Sequence, residues 1–158
     1  MKISTKKIAY TGVLSALTVG LSVIDNAIPI PLPLGAKIGF GNLTVMYSLF
    51  SKDLKTSYML VMIKGVFSLF RGFTAMINSL CGGLLSLTVM TFLYKKTNLS
   101  KVGISAFGGV FHNIGQLISA IILMQSFSLI SLAPILILVG CISGLAMGIL
   151  ISNIKERI

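Results

Sequence analysis

The sequence predicts an all-α fold: an integral membrane bundle of about six transmembrane helices, in a single transmembrane domain over residues 1–158. The chain is 55% hydrophobic and only 10% charged, whereas about a quarter of the residues of soluble domains are charged. The stretches 8–24, 72–94 and 102–154 contain no Asp, Glu, Lys or Arg, and about 20 apolar residues suffice to cross a bilayer. Clusters of basic residues lie between the apolar stretches, as expected at a membrane surface.

The helices follow from these stretches in chain order. Helix 1 is predicted over residues 8–28. An outer loop is predicted over 29–41, because its prolines lack the N–H donors of a lipid-exposed helix. The next helix, at 42–50, is short and is expected to begin inside the protein. The remaining helices are predicted over 56–73, 74–94, 102–124 and 132–154.

The distribution of basic residues predicts the orientation. The formal net charge is +10, and ten of the 13 basic residues lie on alternate connections: Lys2, Lys6, Lys7, Lys52, Lys55, Lys95, Lys96, Lys101, Lys155 and Arg157. Such clusters mark the cytoplasmic side, so both termini are expected to be cytoplasmic in a bacterial cytoplasmic membrane. No basic helix is interleaved with aromatic residues, so nucleic acid is not an expected partner.

Small residues recur at four-residue spacing in two helices. Helix 1 carries Gly12, Ala16 and Gly20, and helix 6 carries a second stripe of Gly140, Gly144 and Gly148. Such faces let helix backbones approach closely in lipid. For helix 6 we expect packing within the bundle. For helix 1, internal packing and docking of another membrane subunit are equally compatible with the pattern.

Polar residues inside the apolar stretches predict a binding site. Lys64 lies about nine residues into helix 3, near the bilayer midplane at ~1.5 Å per residue, where a charged side chain is costly and normally faces the bundle interior. No carboxylate is expected at that depth, since Asp25 is placed near the outer end of helix 1. We predict an outward-open, positively charged pocket for a small polar or anionic ligand, formed by Asn42, Lys64, Arg71, Asn78, His112, Asn113 and Gln116.

A structural reading of the same residues stays open. Lys64 would then extend its amine toward the membrane surface, the amides would pair across helices, and His112 would be a satisfied interior residue. No catalytic residue, metal site or cofactor is expected, because the chain has no phosphate-binding loop and a single histidine. Cys81 and Cys141 are expected to be small buried residues rather than a disulfide or metal site.

Three segments carry a resemblance to a known family. They are Lys37-Ile-Gly-Phe-Gly-Asn42 with the following Leu-Thr-Val, Gly82-Gly83-Leu-Leu-Ser-Leu, and His112-Asn113-Ile-Gly115-Gln116. They resemble the Gx transporter family, also labelled heptaprenyl diphosphate synthase component I. More distantly, the layout is similar to the S components of energy-coupling-factor transporters. This similarity implies that the stripe of Gly12, Ala16 and Gly20 docks a membrane coupling subunit with its ATPases.

Two functions follow as hypotheses. The first is an S-component-like module that captures a small polar or anionic metabolite from outside. The second is a non-catalytic membrane accessory of prenyl-quinone synthesis, as the synthase label implies, or of extracellular electron transfer, which the resemblance also suggests. Prenyl elongation itself needs aspartate-rich motifs that hold Mg²⁺, and this chain has only three acidic residues.

Overall fold

The computed structural model describes residues 5–28 and 39–156. Within them the chain forms six α-helices and three 3₁₀ turns. The helices are α1 (Thr5–Ala27), α2 (Leu43–Phe50), α3 (Leu54–Phe67), α4 (Phe73–Lys96), α5 (Lys101–Met124) and α6 (Ala133–Glu156). The turns are Phe40–Asn42, Ser68–Arg71 and Phe127–Leu132. Residues 29–38 of the predicted outer loop, with Lys37, lie outside the described residues, as do Lys2 and Arg157.

Local chemistry sets several of these boundaries. Asp53 begins α3 by accepting a hydrogen bond from the Thr56 N–H, and Ser100 begins α5 by accepting one from the Gly103 N–H. Such side chains satisfy N–H groups that have no partner in the first turn of a helix. Gly72 separates the second 3₁₀ turn from α4 with φ of 117°, a conformation that residues with a Cβ rarely adopt.

Four of the helical segments are long and apolar enough to cross a membrane: Thr5–Ala27, Phe73–Lys96, Lys101–Met124 and Phe127–Ile154. Much of their surface is exposed and apolar, as in Ile122 and Leu138, which are 68% and 61% exposed. Large exposed apolar surfaces of this kind are typical of lipid-facing helices. The protein is therefore an all-helical membrane protein.

The remaining two helices are shorter than a span. The eight residues of α2 and the 14 residues of α3 rise about 12 Å and 21 Å, against a hydrocarbon core of about 30 Å. Most residues of α2 are buried, in agreement with its prediction as an interior helix. Six transmembrane helices were predicted: six helices are present among the described residues, and four of them have the length of a transmembrane helix.

The bundle has a basic end, where the lysine-rich helix ends meet. Lys7 of α1 lies 3.6 Å from Asp53 in the α2–α3 connection. The ring of Phe50 contacts that of Tyr94 near the end of α4, with centroids 5.6 Å apart. Ile151 of α6 belongs to the same apolar cluster. The first three basic clusters of the sequence therefore lie with the C-terminal part of α6 at one end of the protein.

Candidate functional site

The opposite end of the bundle, which we call the far end, contains a cavity of about 330 Å³. Five of the six helices line it, together with the first two 3₁₀ turns. All seven residues selected from the sequence are among its lining residues: Asn42, Lys64, Arg71, Asn78, His112, Asn113 and Gln116. The sequence positions span 75 residues (42 to 116), so the fold brings together side chains that are far apart along the chain.

Lys64 is tied to the chain segment that follows the first loop. Its Nζ donates a hydrogen bond to Asn42 Oδ1 at 2.6 Å, and the side chain is half-buried. The expectation that Lys64 faces the bundle interior agrees with this position. The short 3₁₀ turn Phe40–Asn42 brings the Asn42 amide to the amine, a contact that the sequence did not indicate.

Arg71 lies at the edge of the cavity, in the last position of the second 3₁₀ turn. Its side chain is exposed, and no hydrogen bond or ion pair joins it to another residue of the described part of the chain. A guanidinium in this setting keeps all of its donors available for a carboxylate or phosphate. Lys64 and Arg71 thus place two cationic groups along one side of the cavity.

Asp25 is a cavity residue that the sequence interpretation missed. It lies in the last turn of α1, is only 6% exposed, and lines the same cavity as Lys64. Its two carboxylate oxygens accept hydrogen bonds from the Gly39 and Gly41 N–H groups at 3.2 and 3.0 Å. Asp25 lies near the end of helix 1 as expected, but this carboxylate shares the cavity with Lys64, which the sequence interpretation did not anticipate.

The same hydrogen bonds explain the place of the first 3₁₀ turn. Asp25 satisfies the N–H groups of Gly39 and Gly41, which otherwise have no partner at the start of so short a helix. Asn42 is the last residue of that turn, so the carboxylate fixes the segment that holds the Lys64 amine. In the sequence, the signal was an isolated Asp at the end of an apolar helix, followed by a Gly-x-Gly segment.

A group of neutral polar side chains lines the other wall. His112 and Gln116 are one turn apart on α5, with His112 Nε2 and Gln116 Nε2 3.2 Å apart. The hydroxyl of Ser119 donates to Asn78 Oδ1 of α4 at 2.7 Å. His112 is buried, whereas Gln116 and Asn78 are half-buried. This wall therefore offers amide and imidazole groups for hydrogen bonding beside the two cations.

Asn113 lines the cavity but also has a structural contact. Its Nδ2 donates to the Leu136 carbonyl oxygen of α6 at 2.8 Å, and the residue is 5% exposed. Its amide nitrogen thus ties α5 to α6, and the amide oxygen is the group left to face a ligand. Of the seven selected residues, Asn113 is the one for which the structural reading has the clearest support.

Glycines allow the helices behind this wall to touch. A Cβ added to Gly140 would lie 2.6 Å from the Gly109 carbonyl oxygen, and one added to Gly148 would lie 2.8 Å from Val102 Cα. A Cβ added to Gly144 would collide with the Ser105 carbonyl oxygen. The stripe on helix 6 is thus internal packing against α5, as expected.

The stripe on α1, unlike that on α6, is exposed on the surface of the bundle. Gly12, Ala16 and Gly20 are exposed, and no atom lies within 4 Å of a Cβ added to Gly12 or Gly20. The buried residues of α1, among them Leu14 and Thr18, lie on the other side of the helix. Among the described residues, this stripe therefore packs against no other part of the chain.

Comparison with known proteins identifies the family. The sequence profile described as heptaprenyl diphosphate synthase component I matches residues 14–154, which include every residue described above as lining the cavity. No curated protein and no solved structure matches the chain. The resemblance to this family, drawn from segments such as His112-Asn113-Ile-Gly115-Gln116, is confirmed. The chain belongs to the heptaprenyl diphosphate synthase component I family.

Proposed function

We propose that this chain is a membrane-embedded binding protein that captures a small polar or anionic metabolite from outside. A separate coupling subunit with ATPases would drive its transport, as in S components of energy-coupling-factor transporters. The observation that carries the proposal is the far-end cavity, which Lys64 and Arg71 line together with the amide and imidazole groups of α4 and α5. We propose further that residues 1–158 form a single transmembrane domain.

The charge of the cavity supports an anionic ligand. Two cationic side chains face one carboxylate there, and Asp25 already accepts two backbone hydrogen bonds. A charge within a low-dielectric environment is stabilised when an opposite charge or several hydrogen bonds compensate it. A ligand with an oxyanion group would supply that compensation to Arg71 and would lie beside the amine of Lys64, which also donates to Asn42.

The basic end supports the orientation. Positive-inside statistics place lysine clusters in the cytoplasm, so the far end and its cavity would face outward in the bacterial cytoplasmic membrane. Single cysteines at Gln125 and Asn98 test this in a background without Cys81 and Cys141. A membrane-impermeant thiol reagent applied to intact cells should label position 125 and leave position 98 unlabelled. The reverse pattern would contradict the orientation.

The exposed stripe on α1 supports docking of the coupling subunit. Ala16→Leu should leave thermal stability unchanged but reduce co-purification of a membrane partner with its ATPases. Ala146→Leu is a matched control, because Ala146 is an exposed alanine on α6. If Ala16→Leu lowers the unfolding temperature and partner yield is unchanged, the stripe is a packing surface rather than a docking face.

The family description favours a second candidate. A protein described as component I of a heptaprenyl diphosphate synthase would serve as a non-catalytic membrane accessory to a separate catalytic component. The cavity would then hold an anionic intermediate or stabilise the assembly, in prenyl-quinone synthesis or extracellular electron transfer. The identity of the co-purifying protein separates the candidates: ATPases favour transport, whereas a prenyl synthase or a redox protein favours the accessory role.

A further inference from the structure

An apolar groove lies beside the cavity, along the seam between α1 and α3. Its volume is about 400 Å³, and its lining residues are all apolar: Val19, Met62, Ile63, Val66, Phe67 and Phe70. Phe67 lines both this apolar groove and the polar cavity. The groove therefore adjoins the cavity directly, with the ring of Phe67 at their common border.

The order of residues on α3 and the turn after it links the two spaces. Ile63 lines the groove and the next residue, Lys64, lines the cavity. Phe70 and Arg71 repeat this pair seven residues later, two turns along the same segment. Successive residues of a helix point about 100° apart. Each cation thus has an apolar neighbour that faces the groove.

The outer side of the groove is exposed on the surface of the bundle. Met62, Val66 and Phe70 are 46%, 56% and 87% exposed and lie on segments packed within a membrane bundle. A wholly polar ligand in the cavity would make no use of this surface. A ligand that carries an apolar chain next to its charged group would contact both spaces at once.

We propose that the cavity and the groove together bind a single-chain amphiphile. Its oxyanion head lies beside Lys64 and Arg71, and its chain passes Phe67 and lies in the groove between α1 and α3. The inference rests on the proposed function and deepens it, because it names the class of ligand that the cavity takes. The cationic side chains of the cavity indicate an anionic head. The groove that adjoins the cavity indicates an apolar chain attached to that head.

A photoreactive probe tests this directly. Dodecyl phosphate with a diazirine on its chain is irradiated with the full chain in lipid nanodiscs, and the labelled peptides are mapped by mass spectrometry. Labelling should concentrate on Val19 and residues 62–70. The corresponding dodecanol probe lacks the anionic head, so it should label the lipid-facing residues of all helices evenly.

Two variants with matched controls separate head from chain. Lys64→Met should lower labelling of the groove by about tenfold or more, since a hydrogen bond to a charged group is lost, whereas Lys55→Met at the basic end should not. Val19→Phe should fill part of the groove and displace the label from it. Val13→Phe, at a lipid-facing position of the same helix, should leave the label in place.

Two outcomes would overturn the inference in different ways. If the phosphate probe labels all lipid-facing helices evenly, while a metabolite still co-purifies in a Lys64-dependent manner, the groove holds only bilayer lipid and the proposed function stands. If no metabolite co-purifies, inorganic phosphate does not bind and labelling is even, both the inference and the anionic binding function fail. Labelling confined to the groove but unchanged by Lys64→Met would contradict the assignment of the head to the cavity.

Discussion

The two halves of this bundle are held together by different contacts. Between α4, α5 and α6, backbones touch at glycines: a Cβ on Gly115 would lie 2.8 Å from Gly82 Cα, and one on Gly140 would meet Gly109. Between α1, α2 and α3, side chains make the contacts: apolar ones such as Leu14, Leu49 and Leu60, and polar ones, as in the 2.7 Å hydrogen bond between Thr18 and Thr44. In lipid, where apolar burial provides little drive, both close packing and hydrogen bonds hold helices together.

The difference explains the position of the cavity. Glycine contacts bring α5 against both α4 and α6, so these three helices form one compact wall. In the other half, which we call the polar half, hydrogen bonds join the first 3₁₀ turn to Asp25 and Lys64, two charged residues that line the cavity. The cavity lies where the compact wall meets the polar half. We therefore expect substitutions in the wall to affect folding, and substitutions in the polar half to affect binding.

The largest expected effect comes from adding one methyl group to the wall. In Gly140→Ala the new Cβ would lie 2.6 Å from the Gly109 carbonyl oxygen and 3.0 Å from Asn113 Nδ2. Forcing the helices apart should destabilise the protein by about 1–3 kcal/mol or more, measured as a lower unfolding temperature in detergent. Gly20→Ala is the control and should be neutral or stabilising, since its Cβ meets no atom within 4 Å and alanine favours helix. Equal effects of the two changes would contradict the comparison between the halves.

A large effect on binding with little effect on folding is expected in the polar half. Lys64→Met removes the cationic donor that reaches Asn42, at a depth where a charge is costly to keep. Affinity for the anionic metabolite should fall by roughly tenfold to a hundredfold or more, while expression stays near that of the wild type. Native mass spectrometry of gently purified protein would measure the retained small molecule. Lys55→Met on the same helix is the control. If both variants retain the same amount of the small molecule, Lys64 does not contribute to its binding.

The sequence predicted most of the helices well. The predicted helices at 74–94 and 102–124 match Phe73–Lys96 and Lys101–Met124 within two residues, because Gly72, the Lys95–Lys96 pair and Lys101 mark three of the four ends. The end of α3 was harder, since the predicted helix at 56–73 changes to a 3₁₀ turn at Ser68 without a proline or charge to signal it.

The polar contacts of the site could not all be derived from the sequence. Depth along each helix was enough to group Lys64, His112 and Gln116, because a span in a bilayer fixes the height of a residue from its position. The partners of Asp25 could not be derived, because the Gly-x-Gly segment at 39–41 does not show which side chain accepts hydrogen bonds from its backbone N–H groups. The sequence also could not show whether the stripe of Gly12, Ala16 and Gly20 faces the interior of the bundle or its surface, since α1 has apolar residues on all sides.

A smaller effect on binding is expected from Asp25, which acts through the first 3₁₀ turn. Asp25→Asn keeps one acceptor oxygen, so one of the two hydrogen bonds to Gly39 and Gly41 is lost and Asn42 is held less firmly. We expect about a tenfold loss of affinity, with faster hydrogen exchange of the amides at 39–42. Asp53→Asn at the basic end should change neither quantity. Weaker binding without faster exchange would indicate that Asp25 contacts the ligand itself.

The smallest expected effect concerns Asp53 at the basic end. Burial raises the pKa of this carboxyl, but hydrogen bonds from Thr56 and the charge of Lys7 outweigh burial, so the pKa lies below its ordinary value of 3.8. A carboxyl with a lower pKa in the folded state stabilises that state above its unfolded pKa, and the contribution is lost as pH falls through the folded value. The Lys7–Asp53 pair is partly exposed, so the contribution should stay below ~1 kcal/mol.

The pH dependence of Asp53→Asn isolates that contribution. Asparagine also begins helices well, so the substitution removes the charge and keeps an acceptor for the Thr56 N–H. The unfolding temperature of the wild type should exceed that of Asp53→Asn at neutral pH, and the difference should disappear as the pH falls below about 4. A difference that persists unchanged at acid pH would show that Asp53 stabilises the α2–α3 connection through its shape and hydrogen bonds rather than its charge.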